Sequence, residues 1–332
     1  MPTVALVGPT ASGKSELARR VAIASADPAS SCALVELVSV DSMAVYRGMD
    51  IGTAKPSASE QAACHYHLID IVDPSEEFTV QQFQTAGNRA LAGIAERGHA
   101  ALLVGGTGLY LRSLVDDLDF PGRFPEVASA LEESLDRAER NGEAELERAL
   151  AELHERLAQL DPVAAERISP SNRRRLVRAL EVTVGAGRPF SSFGPGLEHY
   201  PPTSVSLVGL RLDPLELDRR IAERFERLME LGFLDEVRSL LAAPGGLSRT
   251  ARQAIGYREL LTHLEGGIPL ADAVEEGVRR TRAFARRQMA WFDRDPRILW
   301  LEDSADPAST IVSLVREAPR TTSWVGDCST GR

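Results

Sequence analysis

The stretch Gly8-Pro9-Thr10-Ala11-Ser12-Gly13-Lys14-Ser15 has the spacing G-x-x-x-x-G-K-[ST], which wraps backbone N–H groups around a phosphate. Its glycines let the backbone turn inward, and the helix that follows presents its partly positive N-terminal end. Lys14 supplies a point charge for an outer phosphate, and the Ser15 hydroxyl is a ligand for Mg2+. The anion expected here is a di- or triphosphate. Hydrolysis of a nucleotide on such a loop would need a second acid at the end of a hydrophobic strand, to hold the metal and orient water. Two apolar strands are candidates. One ends in Gly105-Gly106-Thr107 with no acid, and the other ends in Asp41. Asp41 is therefore a metal-site acid, a general base close to the phosphates, or a cap on the next helix. Arg220 and Arg224 lie four apart, on one face of a helix expected from Asp213 to Leu241. They are read either as surface partners of Glu216 or Glu223 or as a guanidinium clamp on phosphate oxygens.

The elements that must position these residues follow from the hydrophobic pattern. Strands are expected at Thr3–Val7, Ala33–Val40, Tyr66–Ile71, Ala100–Val104, Ser204–Leu212 and Arg297–Leu301. Helices follow the first strand, run from about Val80 to Arg97, and return as two long amphipathic segments, Pro214 to Ala242 and Leu270 to Phe292. Strands alternating with helices predict an α/β fold with a parallel, doubly wound sheet. Its ligands then sit beyond the carboxyl ends of the strands, where Gly8, Asp41 and Gly105 all fall. Between Met43 and Pro56 the pattern has no clean period and predicts a loop with a short helix over the phosphate site. From Pro125 to about Gly187 it is helical throughout, rich in Ala, Leu, Glu and Arg. The expected organisation is a core of residues 1–114 and 200–302, an all-helical insertion of residues 115–199, and a C-terminal tail of residues 303–332, disordered from Thr321.

At 332 residues, with 43% hydrophobic and 26% charged residues, the composition is that of a soluble globular protein of about two domains. No apolar stretch is long enough to span a bilayer, and a strand starting next to Met1 leaves no signal peptide, so a cytoplasmic protein without a membrane partner is expected. Cys32, Cys64 and Cys328 are too few and too scattered for a disulfide framework or a zinc site. A net charge of −10 argues mildly against nucleic acid, but two basic clusters stand out from it. Arg173, Arg174, Arg175 and Arg178 form one without an acid between them. Seven arginines against Asp293 and Asp295 form the other, from Arg279 to Arg297, interleaved with Phe284, Trp291 and Phe292. A charge run is commonly a solvated face; two of them on an acidic chain point to a polyanion partner.

Together with the phosphate loop, several stretches carry a family pattern. They are Val40-Asp41-Ser42-Met43, Tyr46-Arg-Gly-Met-Asp-Ile-Gly-Thr-Ala-Lys-Pro56, Leu103-Val-Gly-Gly-Thr-Gly-Leu-Tyr110, Asp161-Pro162, Arg175 through Glu181, and Gln253-Ala-Ile-Gly-Tyr-Arg-Glu259. In this order, from Val4 to about Leu301, the chain resembles the bacterial tRNA dimethylallyltransferases (tRNA isopentenyltransferases, or IPP transferases). The resemblance implies a P-loop NTPase-like core that does not hydrolyse ATP. It implies transfer of a dimethylallyl group from dimethylallyl diphosphate to N6 of the adenosine beside the anticodon, in tRNAs reading codons that begin with U. Residues Gly8, Pro9, Thr10, Ala11, Ser12, Gly13, Lys14 and Ser15 would then bind the diphosphate. Lys14, Arg224 and Mg2+ on Ser15 would stabilise its leaving charge. Asp41 would be the general base, with Thr10 and Thr107 lining the reaction channel. The tRNA anticodon stem-loop would meet Asp41, Ser42, Met43, Ala44 and Gly108, the segment Arg174, Arg175, Leu176, Val177 and Arg178, and Gln253, Gly256, Tyr257 and Arg258. No zinc is expected, and a monomer suffices. The rival readings are an adenylate isopentenyltransferase acting on a free nucleotide, a P-loop small-molecule kinase, and a non-enzymatic RNA binder.

Overall fold

In a computed structural model, the structure describes residues 1–26, 33–194, 196–301 and 306–317. Six strands form one parallel sheet: β1 (Thr3–Val7), β2 (Val35–Val40), β3 (Tyr66–His67), β4 (Ala100–Gly105), β5 (Ser206–Gly209) and β6 (Ile298–Trp300), in the order β3-β2-β4-β1-β5-β6. The central strands are nearly continuous apolar runs because both of their faces are covered. Alternate side chains divide between two cores, as the period of two requires. Ala5, Val7, Val38, Val40, Ala101 and Leu103 enter the larger core; Val4, Leu6, Val35, Leu37, Ala100 and Leu102 enter the other. This is a doubly wound α/β sheet of the P-loop type.

Fourteen α-helices are present among the described residues. They are α1 (Lys14–Ser25), α2 (Ala58–Ala63), α3 (Val80–Glu96), α4 (Gly108–Val115), α5 (Pro125–Arg140), α6 (Glu143–Leu160), α7 (Pro162–Arg167), α8 (Arg173–Ala186), α9 (Pro214–Glu230), α10 (Phe233–Ala242), α11 (Arg249–Arg252), α12 (Tyr257–Leu264), α13 (Leu270–Phe292) and α14 (Pro307–Glu317). None is long and apolar enough to cross a membrane. Phe83 and Leu91 of α3, Tyr110 of α4, Phe225 of α9, Phe233 of α10, Leu260 of α12 and Phe292 of α13 fill the larger core. Leu17 and Val21 of α1 and Ile311 and Val315 of α14 fill the other.

The chain divides into two compact units, Met1–Asp117 with Tyr200–Arg332, and Leu118–His199. The second is built from α5 to α8 around its own core of Leu131, Leu135, Leu157, Leu176, Ala179 and Leu180. Asp161 is 1% exposed. It caps α7 by accepting from Ala164 N at 3.0 Å and holds Ser191 N at 2.7 Å. The Asp161-Pro162 pair is thus a helix start, with proline at the first helical position.

Several expectations are corrected. The strand expected over Tyr66–Ile71 has two residues, because Leu68 and Asp70 take positive φ angles of 64° and 55° and turn the chain away from β2. The strand expected over Ser204–Leu212 keeps only Ser206–Gly209. The helix expected over Pro214–Ala242 breaks at Leu231–Gly232, where Gly232 adopts φ 96° and starts α10 on a new axis. Met43–Pro56 holds turns and no helix. Residues 307–317 of the expected tail form α14, packed on α1 through Ile311 and Val315. Cys32, Cys328 and the segment from Thr321 lie outside the described residues.

Candidate active site

Parallel pairing aligns Val7 with Gly105, and Gly105 with Val40. The phosphate loop after β1, Asp41 after β2 and Gly106-Thr107 after β4 therefore emerge side by side, with neighbouring strands about 5 Å apart. Close approach at this edge is enforced by Gly105, where a Cβ would overlap the Val40 carbonyl. Within the loop, Ala11 and Gly13 have φ angles of 62° and 90°. Alternating handedness of this kind aims successive N–H groups into one concavity. For Ala11 it costs about 1–2 kcal/mol of backbone strain, the kind stored at functional sites.

Lys14 is buried, and its ammonium folds back to donate to the Pro9 carbonyl and, at 3.3 Å, to Ser12 Oγ. Burial and the nearby Arg224 guanidinium push its pKa down to about 7, against the opposing pull of Asp41. Arg224 leaves α9 to donate to Thr10 Oγ1 at 3.0 Å; burial lowers its pKa, with Asp41 acting against that shift. The four-residue spacing thus separates two roles, since Arg220 pairs with Glu216 at 2.7 Å on the surface. One Asp41 oxygen accepts from Met43 N at 2.7 Å and Ala44 N at 3.1 Å, so the carboxylate is held by its own turn. Ser42 N donates to Thr107 Oγ1 at 3.3 Å, which leaves the Thr107 hydroxyl proton to be donated elsewhere. Two cations, one oriented carboxylate and a ring of amides converge at one sheet edge. Such a set can hold a polyphosphate, stabilise charge developing on it, and take a proton beside it.

The residues present fit a shared Mg2+ site. Ser15 is exposed at the first turn of α1, directly after the phosphate loop. That is the donor set of an ion bound by one protein hydroxyl, water and substrate phosphates.

Gln288 of α13 was missed from the sequence, where it is one amide in an arginine-rich helix. It is 7% exposed; its Oε1 accepts from Thr10 N at 2.8 Å and its Nε2 donates to Gly106 O at 2.9 Å. Glu236 was missed as well. It accepts from the backbone N–H groups of Asp50, Ile51 and Gly52 at 2.9, 2.6 and 3.1 Å, and from Tyr257 Oη at 2.6 Å. The loop from Tyr46 to Pro56 is thereby fastened to α10 and α12. Lys55 closes it internally, reaching Asp50 at 2.7 Å and Asp70 at 2.5 Å.

The expected RNA-facing residues divide by exposure. Arg174 and Arg175 are exposed. Leu176 and Val177, however, are buried in the core of the helical unit. Arg178 donates to Pro121 O at 2.7 Å and pairs with Glu181 at 2.8 Å. Of the segment 174–178, Arg174 and Arg175 thus point outward, while Leu176, Val177 and Arg178 anchor the helix. In the same way Gln253 and Arg258 are exposed and line a cavity of about 540 Å3 with Arg249, Arg252 and Glu265. Gly256 and Tyr257, between them, are buried. Ser42, Met43 and Gly108 are half-buried at the site edge and Ala44 is buried. Of the second cluster, Arg279 and Arg280 pair with Glu276 at 2.6 Å, and Arg297 pairs with Asp116 at 2.7 Å and Asp295 at 2.6 Å. Arg286, Arg287 and Arg294 are exposed.

Comparison with known proteins bears on this arrangement directly. The IPP transferase family model matches residues 44–295. The tRNA dimethylallyltransferase of Desulforudis audaxviator is 44% identical over 303 residues, covering 91% of this chain and 92% of that protein. The tRNA dimethylallyltransferase of Nocardioides sp. is 42% identical over 315 residues, covering 95% and 96%. Among solved structures, the full-length tRNA isopentenylpyrophosphate transferase of Bacillus halodurans superposes with a TM-score of 0.65 at 32% identity, covering 96% of this chain and 98% of that one. A eukaryotic dimethylallyltransferase acting on tRNA has a TM-score of 0.72 at 23% identity, covering 93% and 77%, a likeness of fold. With both the sequence pattern and the fold shared over nearly its whole length, the chain belongs to the IPP transferase family, that of the tRNA dimethylallyltransferases.

Proposed function

We propose that the protein transfers a dimethylallyl group from dimethylallyl diphosphate to N6 of the adenosine beside the anticodon of tRNAs reading codons that begin with U, releasing diphosphate. The observation that carries this reading is the convergence of Lys14, Arg224 and Asp41 at the sheet edge, with no acid following β4. The phosphate-loop amides, Lys14 and Arg224 bind the diphosphate. As the allylic C–O bond breaks, the bonding pair leaves with the diphosphate, where these cations stabilise it. Mg2+, held by Ser15 and the phosphates, would add to that neutralisation. The adenine N6 lone pair is delocalised into its ring, so N6 is a weak nucleophile until its proton is taken. Asp41, oriented by its hydrogen bonds to Met43 and Ala44, accepts that proton as the N6–carbon bond forms.

An adenosine in a single-stranded loop unstacks at low cost, which suits an enzyme that must enclose it. Arg174 and Arg175, and separately Gln253 and Arg258, are placed to meet the tRNA. A monomer acting in the cytoplasm is sufficient for this chemistry. The test is transfer from radiolabelled dimethylallyl diphosphate to unmodified tRNA, with adenosine monophosphate as a parallel acceptor and ATP hydrolysis as a control. Label in tRNA alone is expected. Label in the free nucleotide would make the protein a nucleotide prenyltransferase, and ATP turnover without transfer would make it a kinase-like enzyme.

A further inference from the structure

A buried amide that bridges two loops of an active site, from a helix far away in sequence, calls for an account. Thr10 stands 278 residues before Gln288, and Gly106 182 residues before it. The Thr10 N–H requires an acceptor and the Gly106 carbonyl a donor, and one primary amide offers both in a fixed geometry. The amide can approach this closely only because residue 106 is glycine, since a Cβ there would overlap the Gln288 amide. Beyond the amide the connections continue on both sides. Thr10 Oγ1 receives the Arg224 guanidinium at 3.0 Å. On the other side Thr107 follows Gly106 and receives Ser42 N at 3.3 Å, next to Asp41.

We infer that Gln288 is a positioning residue that fixes the separation between the diphosphate cradle and the loops carrying the general base. This inference rests on the proposed transfer reaction. In that reaction the allylic carbon is located by the diphosphate and the N6 proton by Asp41. The spacing of the two loops then decides whether attack is in reach, and misplacement by about 1 Å costs on the order of 10²-fold in rate. The Gln288 amide is engaged by Thr10 N and Gly106 O, and in this role it contacts neither substrate. Its loss therefore lowers kcat while the cradle, whose amides and Lys14 are intact, keeps its affinity for diphosphate.

The experiment compares Gln288→Glu and Gln288→Met with the unsubstituted protein. Gln288→Glu keeps the size of the side chain and the acceptor for Thr10, but an ionised carboxylate faces the Gly106 carbonyl without a proton to give. When protonated, it regains a donor and an acceptor. The expected result is a fall in kcat of at least about tenfold for both variants. The dissociation constant of inorganic diphosphate, from titration calorimetry, should change by less than about threefold for Gln288→Met, which carries no new charge. Burial and the facing Gly106 carbonyl disfavour the carboxylate, so as pH is lowered from about 8 towards about 5 the rate of Gln288→Glu relative to the unsubstituted protein should recover, with no recovery for Gln288→Met. Gln288→Met, which adds no charge beside Lys14, controls for the titration of Lys14. Equal kcat in all three proteins overturns the inference, as does a joint loss of kcat and diphosphate binding without pH recovery, the mark of a merely structural residue. Absence of transfer by the unsubstituted protein overturns the reaction itself, and the assignment of Gln288 with it.

Discussion

Two loops of the core unit, Gly8–Ser15 and Tyr46–Pro56, are both rich in glycine and polar groups, yet they are finished in opposite ways. In the second, Glu236 takes three backbone N–H groups, Lys55 is closed on Tyr46 O, Asp50 and Asp70, and a Cβ at Gly52 would strike the rings of Phe233 and Tyr257. In the first, the buried Lys14 and the half-buried Arg224 both feel the charge of Asp41, and Lys14 is folded onto its own loop. In the proposed reaction, the loop most specific to the family is a scaffold, and the more widely distributed phosphate loop holds the chemistry. A distinctive string of residues reflects packing constraints as readily as catalysis.

This contrast can be broken by experiment. Arg224→Ala removes the cation that α9 brings to the first loop and should lower kcat/KM for dimethylallyl diphosphate by about 10²–10³-fold with little change in melting temperature. Steady-state kinetics and a thermal melt check it; unchanged kinetics would remove Arg224 from the site. Gly52→Ala, in the second loop, should do the reverse, destabilising the fold by about 1–3 kcal/mol through overpacking while kcat per folded molecule is unchanged. Denaturant unfolding measures it, and a large loss of kcat in fully folded protein would end the division into scaffold and site.

Smaller effects sharpen the picture. Replacing Arg174 and Arg175 together by alanine should weaken tRNA binding and flatten the dependence of log K on log salt by about 1.4–1.8. Binding isotherms at several salt concentrations report this. Substituting Arg178 should instead cost stability, since it holds Pro121 and Glu181. For Lys14, the folded-state pKa near 7 lies below its ordinary 10.5. The ligand-free fold therefore binds fewer protons than the unfolded chain between these values, and its Lys14-linked stability rises with pH across that window. Bound diphosphate restores the charge, so binding at pH ~8 should take up a fraction of a proton. Calorimetry in two buffers of different ionisation enthalpy detects the uptake.

Much of the fold was legible in the sequence because β1, β2 and β4 are apolar runs and α13 keeps one period from Leu270 to Phe292. Their carboxyl ends bring Gly8, Asp41 and Gly105 to one sheet edge from the pattern alone. What was not legible depends on tertiary contacts. Leu68 and Asp70 look extended by composition, yet positive φ angles end β3. Gly232 breaks a continuous amphipathic pattern that hydrophobic spacing alone carries through. Gln288 and Glu236 act on loops from which they are far removed in sequence, so no local pattern marks them. In the first arginine cluster, charge was readable but the partners of Arg173 and Arg178 were not; Arg173 pairs with Glu132 at 2.6 Å.

The most direct test of the account is the single-turnover rate of prenyl transfer by Asp41→Asn, with tRNA affinity and melting temperature measured on the same sample. A carboxamide keeps the oxygen that accepts from Met43 and Ala44 but is not a base. The account predicts a loss of about 10²–10⁴-fold in rate with tRNA affinity and folding preserved. A rate equal to that of the unsubstituted protein would show that Asp41 serves only its own turn, and would contradict the account at its centre.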